Sequence, residues 1–423
     1  MRLFKTGGAF VLLLSSSHVT ADDLRPQEGV TTIRERIGEI FAIDHTDTQL
    51  RAGYICRNSP DGSMDSDALA VGGHLHLETK RYGGILAAAE LYTVQDMGVQ
   101  NSDPQKIDPD FFGNDKEGFS TLSQAYLDAL WGNTRIVAGR QMLNTPHADS
   151  DDIRMMPNYF MAYTVSNNDI ESLTLRAGKI LKMAGWENGG NPEKFVNIQQ
   201  AFGTDGTNGG IYYLSALYNG FYDTVLQAWY YNIPDIAELL YLEGAKEFYS
   251  DRYHTVIGFQ YENAADTGEK LLGDYDSSTW GGTLQLNIVE LRVFATLSFN
   301  RTEGAGGAFR SLGGGPFFTS LEELTLDTIG APGYAWTSSI SYDMTQSDIE
   351  GLRTTLAYGQ FRADEHADFD ASELDLTINY AFTDRLDIAA AYAYIDDKAD
   401  ITGDYSLVRV ILNYNFRDGS TRL

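Results

Sequence analysis

Cysteine is nearly absent: Cys56 is the only one in 423 residues, so no internal disulfide can form. Proline is scarce, at 10 residues, which suits a chain of strands whose ladders proline would interrupt. Basic residues are outnumbered, with 31 Lys and Arg against 59 Asp and Glu, giving a net charge of −28. That balance excludes a nucleic-acid binder, which needs a basic face for phosphate. Beyond the N-terminus, no segment approaches the ~20 continuous apolar residues of a membrane-spanning helix. Only seven histidines are present, leaving little material for a serine–histidine or cysteine–histidine enzyme.

Aromatic residues and glycine are abundant instead, with 25 Tyr, 21 Phe and 42 Gly. Tyr suits the interfacial girdles of a membrane wall, and Gly suits turns and tight curvature. The clearest pattern is alternation. Val408, Val410, Leu412, Tyr414 and Phe416 share one face, and Leu407, Arg409, Ile411, Asn413 and Asn415 share the other. Period two is a strand signal, and a greasy face backed by a mostly polar one fits lipid outside and water inside. The pattern repeats at Leu374 to Phe382, at Leu386 to Tyr394 and at Trp280 to Ile288. Candidate segments of about nine to twelve residues recur along 48–416 and predict eighteen strands, including 48–57, 289–300 and 385–395.

The connections fall into a short and a long class, with 233–235 as the exception. Together these features predict an all-β fold: a transmembrane antiparallel β-barrel with short periplasmic turns and long extracellular loops. In lipid every backbone group must pair, so the sheet is expected to close.

Arg2 and Lys5, the apolar stretch Ala9 to Leu14 and the small residues Val19-Thr20-Ala21 resemble a cleaved secretory leader. The expected organisation is a leader at 1–21, a periplasmic lead-in at 22–47, the barrel at 48–416 and a tail at 417–423. The expected location is the outer membrane of a Gram-negative cell. Expected partners are outer-membrane lipid and lipopolysaccharide, small solutes, and divalent cations at the acidic external loops, with no cofactor.

Three stretches resemble the OprD family of outer-membrane porins. The first is Gly139-Arg140-Gln141 followed by Asp152 to Phe160, the second is Gly313 to Glu323, and the third is the aromatic end Tyr414-Asn415-Phe416. The resemblance implies an eighteen-stranded barrel, monomeric or loosely trimeric, whose third external loop folds inward and narrows the pore. It also implies passage of small carboxylate-bearing solutes, including amino acids, along basic wall residues. Arg417 to Leu423 depart from the pattern, because in the family the aromatic residue usually ends the chain.

Selectivity residues should then be lumen-facing arginines. Alternation places Arg51, Arg176, Arg292, Arg353, Arg385 and Arg409 inward. Arg140 faces outward by alternation, and the family pattern argues that it reaches the pore, as though β-structure ended or bulged there. In the third loop, Asp151, Asp152 and Arg154 are the expected constriction charges, able either to grip a solute or to pin the loop to the wall. Ser320, Glu322 and Glu323 form a possible acidic patch dipping into the pore. His74, His76 and Glu78 share a strand face, but ~6.5–7 Å between successive side chains is wide for chelation, so no metal is expected. The glycine run at 313–315 lacks the Lys-Ser/Thr of a phosphate loop. His147 near Ser150 lacks a nucleophile motif, and no enzyme activity is expected. The alternative reading is a surface adhesion or structural barrel with a blocked lumen.

Overall fold

A computed structural model describes residues 42–206, 209–344, 349–365 and 368–417. The leader, most of the lead-in and the tail from residue 418 lie outside the described residues.

Eighteen long strands form the wall. In chain order they are β1 Ile43–Asn58, β2 Ser66–Thr79, β3 Ile85–Asp96, β4 Phe119–Trp131, β5 Thr134–Gln141 and β6 Tyr159–Asn167. Next come β7 Leu173–Ala184, β8 Ile211–Tyr218, β9 Thr224–Ile233, β10 Ala237–Tyr249, β11 Tyr253–Asp266 and β12 Asp276–Ile288. The last six are β13 Val293–Ala305, β14 Gly333–Asp343, β15 Leu352–Ala363, β16 Asp370–Ala381, β17 Leu386–Asp397 and β18 Tyr405–Arg417. Each pairs antiparallel with its sequence neighbours. β1 also pairs antiparallel with β18, from Asp47 opposite Arg417 to Asn58 opposite Ser406, which closes the cylinder and leaves no free edge.

The alternation seen in the sequence sorts the wall. On β18, Leu407, Arg409 and Ile411 are buried inside, while Leu412 and Phe416 are exposed outside. Leu374, Leu284 and Leu297 are likewise exposed on the outer surface. Trp280, Phe299 and Tyr334 form an aromatic contact chain on the long-loop side, with centroids 5.5 and 6.3 Å apart. Exposed Phe221, Tyr222, Tyr249, Tyr253 and Phe382 gather at the short-turn end. These are the two girdles expected of a wall that crosses two interfaces.

Most strand ends differ from expectation by a few residues, and two of the shifts have a visible cause. β1 starts at Ile43 because that residue still finds a partner, Thr79, at the end of β2. The strand expected over 289–300 starts at Val293, because 289–292 forms a tight turn. There Leu291 N–H donates to Ile288 O (3.1 Å), Arg292 N–H donates to Val289 O (3.3 Å), and Arg292 adopts φ +54°.

The long connections enter the lumen. L2 (97–118), L3 (142–158), L4 (185–210) and L7 (306–332) supply much of the buried apolar surface. One cluster joins L2 Phe111 and Phe112, L3 Met155 and Met156, and L7 Phe317 and Leu326 to wall residues Ile55, Tyr92 and Phe361. The other joins L3 Ala148, L4 Phe202 and L7 Phe309 to Trp229, Tyr231 and Tyr241. Gly53 permits the first contact: a Cβ there would lie 2.5 Å from Met155 Sδ and 3.0 Å from Phe111.

The outer girdle sits at Trp280 and Phe299, which places the paired residues Leu284 and Leu297 near the middle of the apolar belt. Leu297→Arg should therefore lower barrel stability by about 2–4 kcal/mol. Urea titration in lipid vesicles, followed by heat-modifiable gel mobility, measures this loss.

Candidate functional site at the inward-folded loops

L3 starts where β5 ends at Gln141. Asn144–Thr145 pair with Ala148–Asp149 in a two-residue hairpin. Thr145 Oγ1 closes it, donating to Ala148 O (3.0 Å) and accepting from Ala148 N–H (3.1 Å). The tip residue His147 is fully buried among Tyr231, Tyr241 and Phe309, and its Nε2 is hydrogen-bonded to Glu262 on β11. Ala148 bridges Leu312, so L3 and L7 fold inward as one unit.

The returning half of L3 carries the charges. Arg51, 4 % exposed on β1, grips Asp152 with two bonds, Nη1 to Oδ1 at 2.6 Å and Nη2 to Oδ2 at 2.9 Å. Its Nη1 also donates to Arg154 O (2.8 Å), and its Nε donates to Asn413 Oδ1 (2.9 Å). Arg154 reaches two further loops: Nε to Asp110 Oδ2 of L2 at 2.9 Å and Nη2 to Glu323 Oε1 of L7 at 3.1 Å. Its guanidinium lies 4.6 Å from the Trp186 ring of L4. Arg57 on β1 joins Glu323 (3.0 Å) and Asp110 (3.4 Å), and Arg409 on β18 joins Glu322 (2.5 Å).

L7 is pinned through its backbone as well. Glu323 and Leu324 N–H donate to Glu373 at 2.8 and 2.7 Å, and Glu322 N–H donates to Asp375 at 3.1 Å. Ser320 turns its hydroxyl to Phe317 O within the loop (3.1 Å). L2, L3 and L7 are thus tied to one strip of wall by alternating charges, and L4 stacks on them through Trp186.

Electrostatics follow from that alternation. Burial opposes the charge on Arg154, but Asp110, Glu323 and Glu322 outweigh it, and the guanidinium holds its proton more firmly than in water. Burial also works against ionised Asp110, and Arg154 and Arg57 overcome it, so its carboxyl lies below the usual range. Glu187 of L4 behaves oppositely. Burial, then the nearby Asp151, push its carboxyl up to about 8, against the Asn158 amide (2.6 Å) and Arg154.

Several expected site residues stand elsewhere. Arg140 occupies the outward register, opposite Ala125 and Met161, because β5 pairs without a bulge through Gln141. It donates to Leu122 O (2.7 Å) and stacks 4.3 Å over Phe195, and no carboxylate lies within ion-pair distance among the described residues. Arg292 lies in the 289–292 turn, and Arg385 is exposed in the 382–385 turn, so neither is a wall residue. Arg292 takes the left-handed position of its turn, and at the other turn Thr383 Oγ1 accepts the N–H groups of Arg385 and Leu386 (3.1 and 3.0 Å), which delays the strand.

Arg176 and Arg353 do lie on the inner register, opposite Ser215 and Asp343. Arg353 stacks 5.5 Å over Phe294. Arg57, Asp110, Glu373 and Asp375 were not anticipated. Arg57 shares the parity of Arg51, which was a usable signal, whereas nothing local marks Asp110. Among the described residues no set of three His, Cys, Asp or Glu side chains is spaced to hold a metal.

The family model for outer membrane porins of the OprD family matches residues 91–417. The chain belongs to that family. Its barrel is therefore one of the Gram-negative outer membrane, with the short turns on the periplasmic side. Solved structures share the fold. Pseudomonas aeruginosa OpdK, crystallised with vanillate, is 18% identical, with a TM-score of 0.75 over 88% of this chain and 98% of that one. A BenF-like porin from Pseudomonas fluorescens Pf-5 is 15% identical, with a TM-score of 0.77 over 89% and 99%. Acinetobacter baumannii OccAB3 is 16% identical, with a TM-score of 0.75 over 88% and 98%. No curated protein sequence matches the chain.

Two outcomes test how the porin holds its loops. Arg51→Ala leaves Asp152 without its bidentate partner and frees Arg154 O, a loss of about 1.5–3 kcal/mol of local anchoring, since Asp152 keeps some access to water. Limited proteolysis should then cut L3 faster while the barrel stays folded. For Glu187 the folded value, about 8, exceeds the unfolded one, so the folded loops bind the extra proton between them. Packing of L4 on L3 should weaken as pH rises through about 8, and Glu187→Gln should flatten that dependence. Proteolytic cleavage rates within L4 between pH 6 and 9.5, compared for the two proteins, check this.

Proposed function

We propose that this porin passes small carboxylate-bearing solutes by passive diffusion through the space that L3 and L7 leave against the wall. The reading rests on one observation. Arg51 and Arg409 tether the inward loops, while Arg176 and Arg353 remain on the inner wall with no carboxylate within ion-pair distance among the described residues. Unpaired guanidinium groups inside a water-filled cylinder replace part of the hydration that an anion loses at a narrow passage. Two buried nitrogens, Nη1 of Arg154 and Nη1 of Arg409, also have no hydrogen-bond partner among the described residues, so small shifts of L3 or L7 would present them to a solute. The OpdK structure holds vanillate, an aromatic carboxylate, on the same fold.

Asp152 and Arg154 serve chiefly to pin the loop, and the selectivity comes from the wall arginines around it. The apolar clusters inside the lumen support a second reading, a filled barrel acting as a surface scaffold. Planar-bilayer recording separates the two. A channel gives discrete ohmic steps, whereas silent insertion would mean a scaffold. In liposome swelling, Arg176→Ala and Arg353→Ala should each slow entry of a small carboxylate relative to a neutral sugar of similar size. Equal slowing of both solutes would reject the role of those two arginines.

A further inference from the structure

Beneath L3, at the periplasmic end, the lumen contains a cavity of about 330 Å³ whose chemistry differs from the arginine strip above it. Its charged lining is His45 and Asp47 from β1, His74, His76 and Glu78 from β2, and Glu90 from β3. The strand register arranges them as a checkerboard. Asp47, His76 and Glu90 stand opposite one another across three strands, and His45 stands opposite Glu78. His76 Nε2 lies 3.3 Å from Glu78 Oε1, and its Nδ1 lies 3.4 Å from Glu90 Oε2. His74 Nε2 lies 3.7 Å from Asp47 Oδ2.

The polar groups around them hold the carboxylates in place. Tyr159 and Gln124 donate to Glu90 at 2.6 and 2.8 Å, and Tyr126 donates to Glu78 at 3.1 Å. Among the described residues no Lys or Arg lines the cavity. Arg51 is engaged with Asp152, which also borders the space, and Arg81 and Arg135 with Asp128.

We propose that this vestibule is a binding site for alkylammonium or guanidinium groups, governed by the protonation of its three histidines. With the imidazoles charged, each carboxylate has a cationic partner and the lining is neutral. With His45 and His74 neutral, and His76 still charged between Glu78 and Glu90, the lining carries a net charge of two minus in a recess walled by Tyr and Gln, where a cation with several N–H donors replaces the lost protons. The volume admits an amine of several carbons. Among the described residues no three ligand side chains converge as a chelated metal would need. The periplasmic recess would then hold the cationic end of a solute, below a strip that favours its anionic end. Binding here does not require the lumen to conduct, so it is separable from the transport reading.

Calorimetric titration of the detergent-solubilised porin with 1,4-diaminobutane, which stays doubly protonated at both pH 5 and pH 8, is the test. The expected result is saturable binding at pH 8 that weakens about tenfold or more at pH 5, as imidazoles charge. Asp47→Asn with Glu78→Gln should remove most of the pH 8 affinity. These two side chains retain solvent access, and heat-modifiable mobility verifies folding. His45→Gln, His74→Gln and His76→Gln together should give binding at both pH values with little difference between them. No saturable binding at pH 8, unchanged affinity in the carboxylate variant, or an intact pH dependence in the histidine variant would each overturn the proposal.

Discussion

Backbone pairing between β1 and β18 is the contact on which the other features rest. Lipid offers no partner to an N–H or C=O group, so a sheet of this length can cross a membrane only by meeting itself. Closure then makes inside and outside absolute. Every second residue faces hydrocarbon, every other one faces the lumen, and a guanidinium on the wrong parity costs a few kcal/mol. Arg51, Arg57 and Arg409 occupy inner positions for that reason, and so meet whatever the loops bring in.

What the loops bring in is charge of the opposite sign, together with enough apolar surface to stay. Met155, Phe111 and Phe317 bury themselves against the wall, while Asp152, Asp110, Glu322 and Glu323 satisfy the arginines. The two contributions depend on each other. A wall arginine buried without its carboxylate carries a desolvation penalty, and an inward loop without the ion pair has little to fix its register. The chain's large acidic excess has one definite use here, as the counter-charge of an arginine-lined interior. Below the loops the balance changes to imidazole and carboxylate, so the lumen has two chemically distinct levels along its axis.

The wall could be read from the chain in detail. Val408 to Phe416 and Trp280 to Ile288 announce their outward faces two residues at a time, and the same rule places Arg409, Arg51 and Glu373 inside. Even Arg140, where family likeness argued otherwise, follows the alternation. Arg292 and Arg385 were misplaced because alternation is blind to where a strand begins. A left-handed residue or a threonine hydroxyl in a turn shifts that start by one to four residues.

Alone, the sequence determined the barrel, its closure, its orientation and which wall residues look inward, because these depend on a two-residue period acting against lipid. The pairing of loop charges with wall charges was decided only by the folded chain. Arg154 finds Asp110 at a separation of 44 residues and Glu323 at 169, and Arg57 finds Glu323 at 266. No spacing rule spans such distances. The partners are chosen by how four loops share one enclosed volume, and that choice leaves the histidine-lined recess without arginine among the described residues.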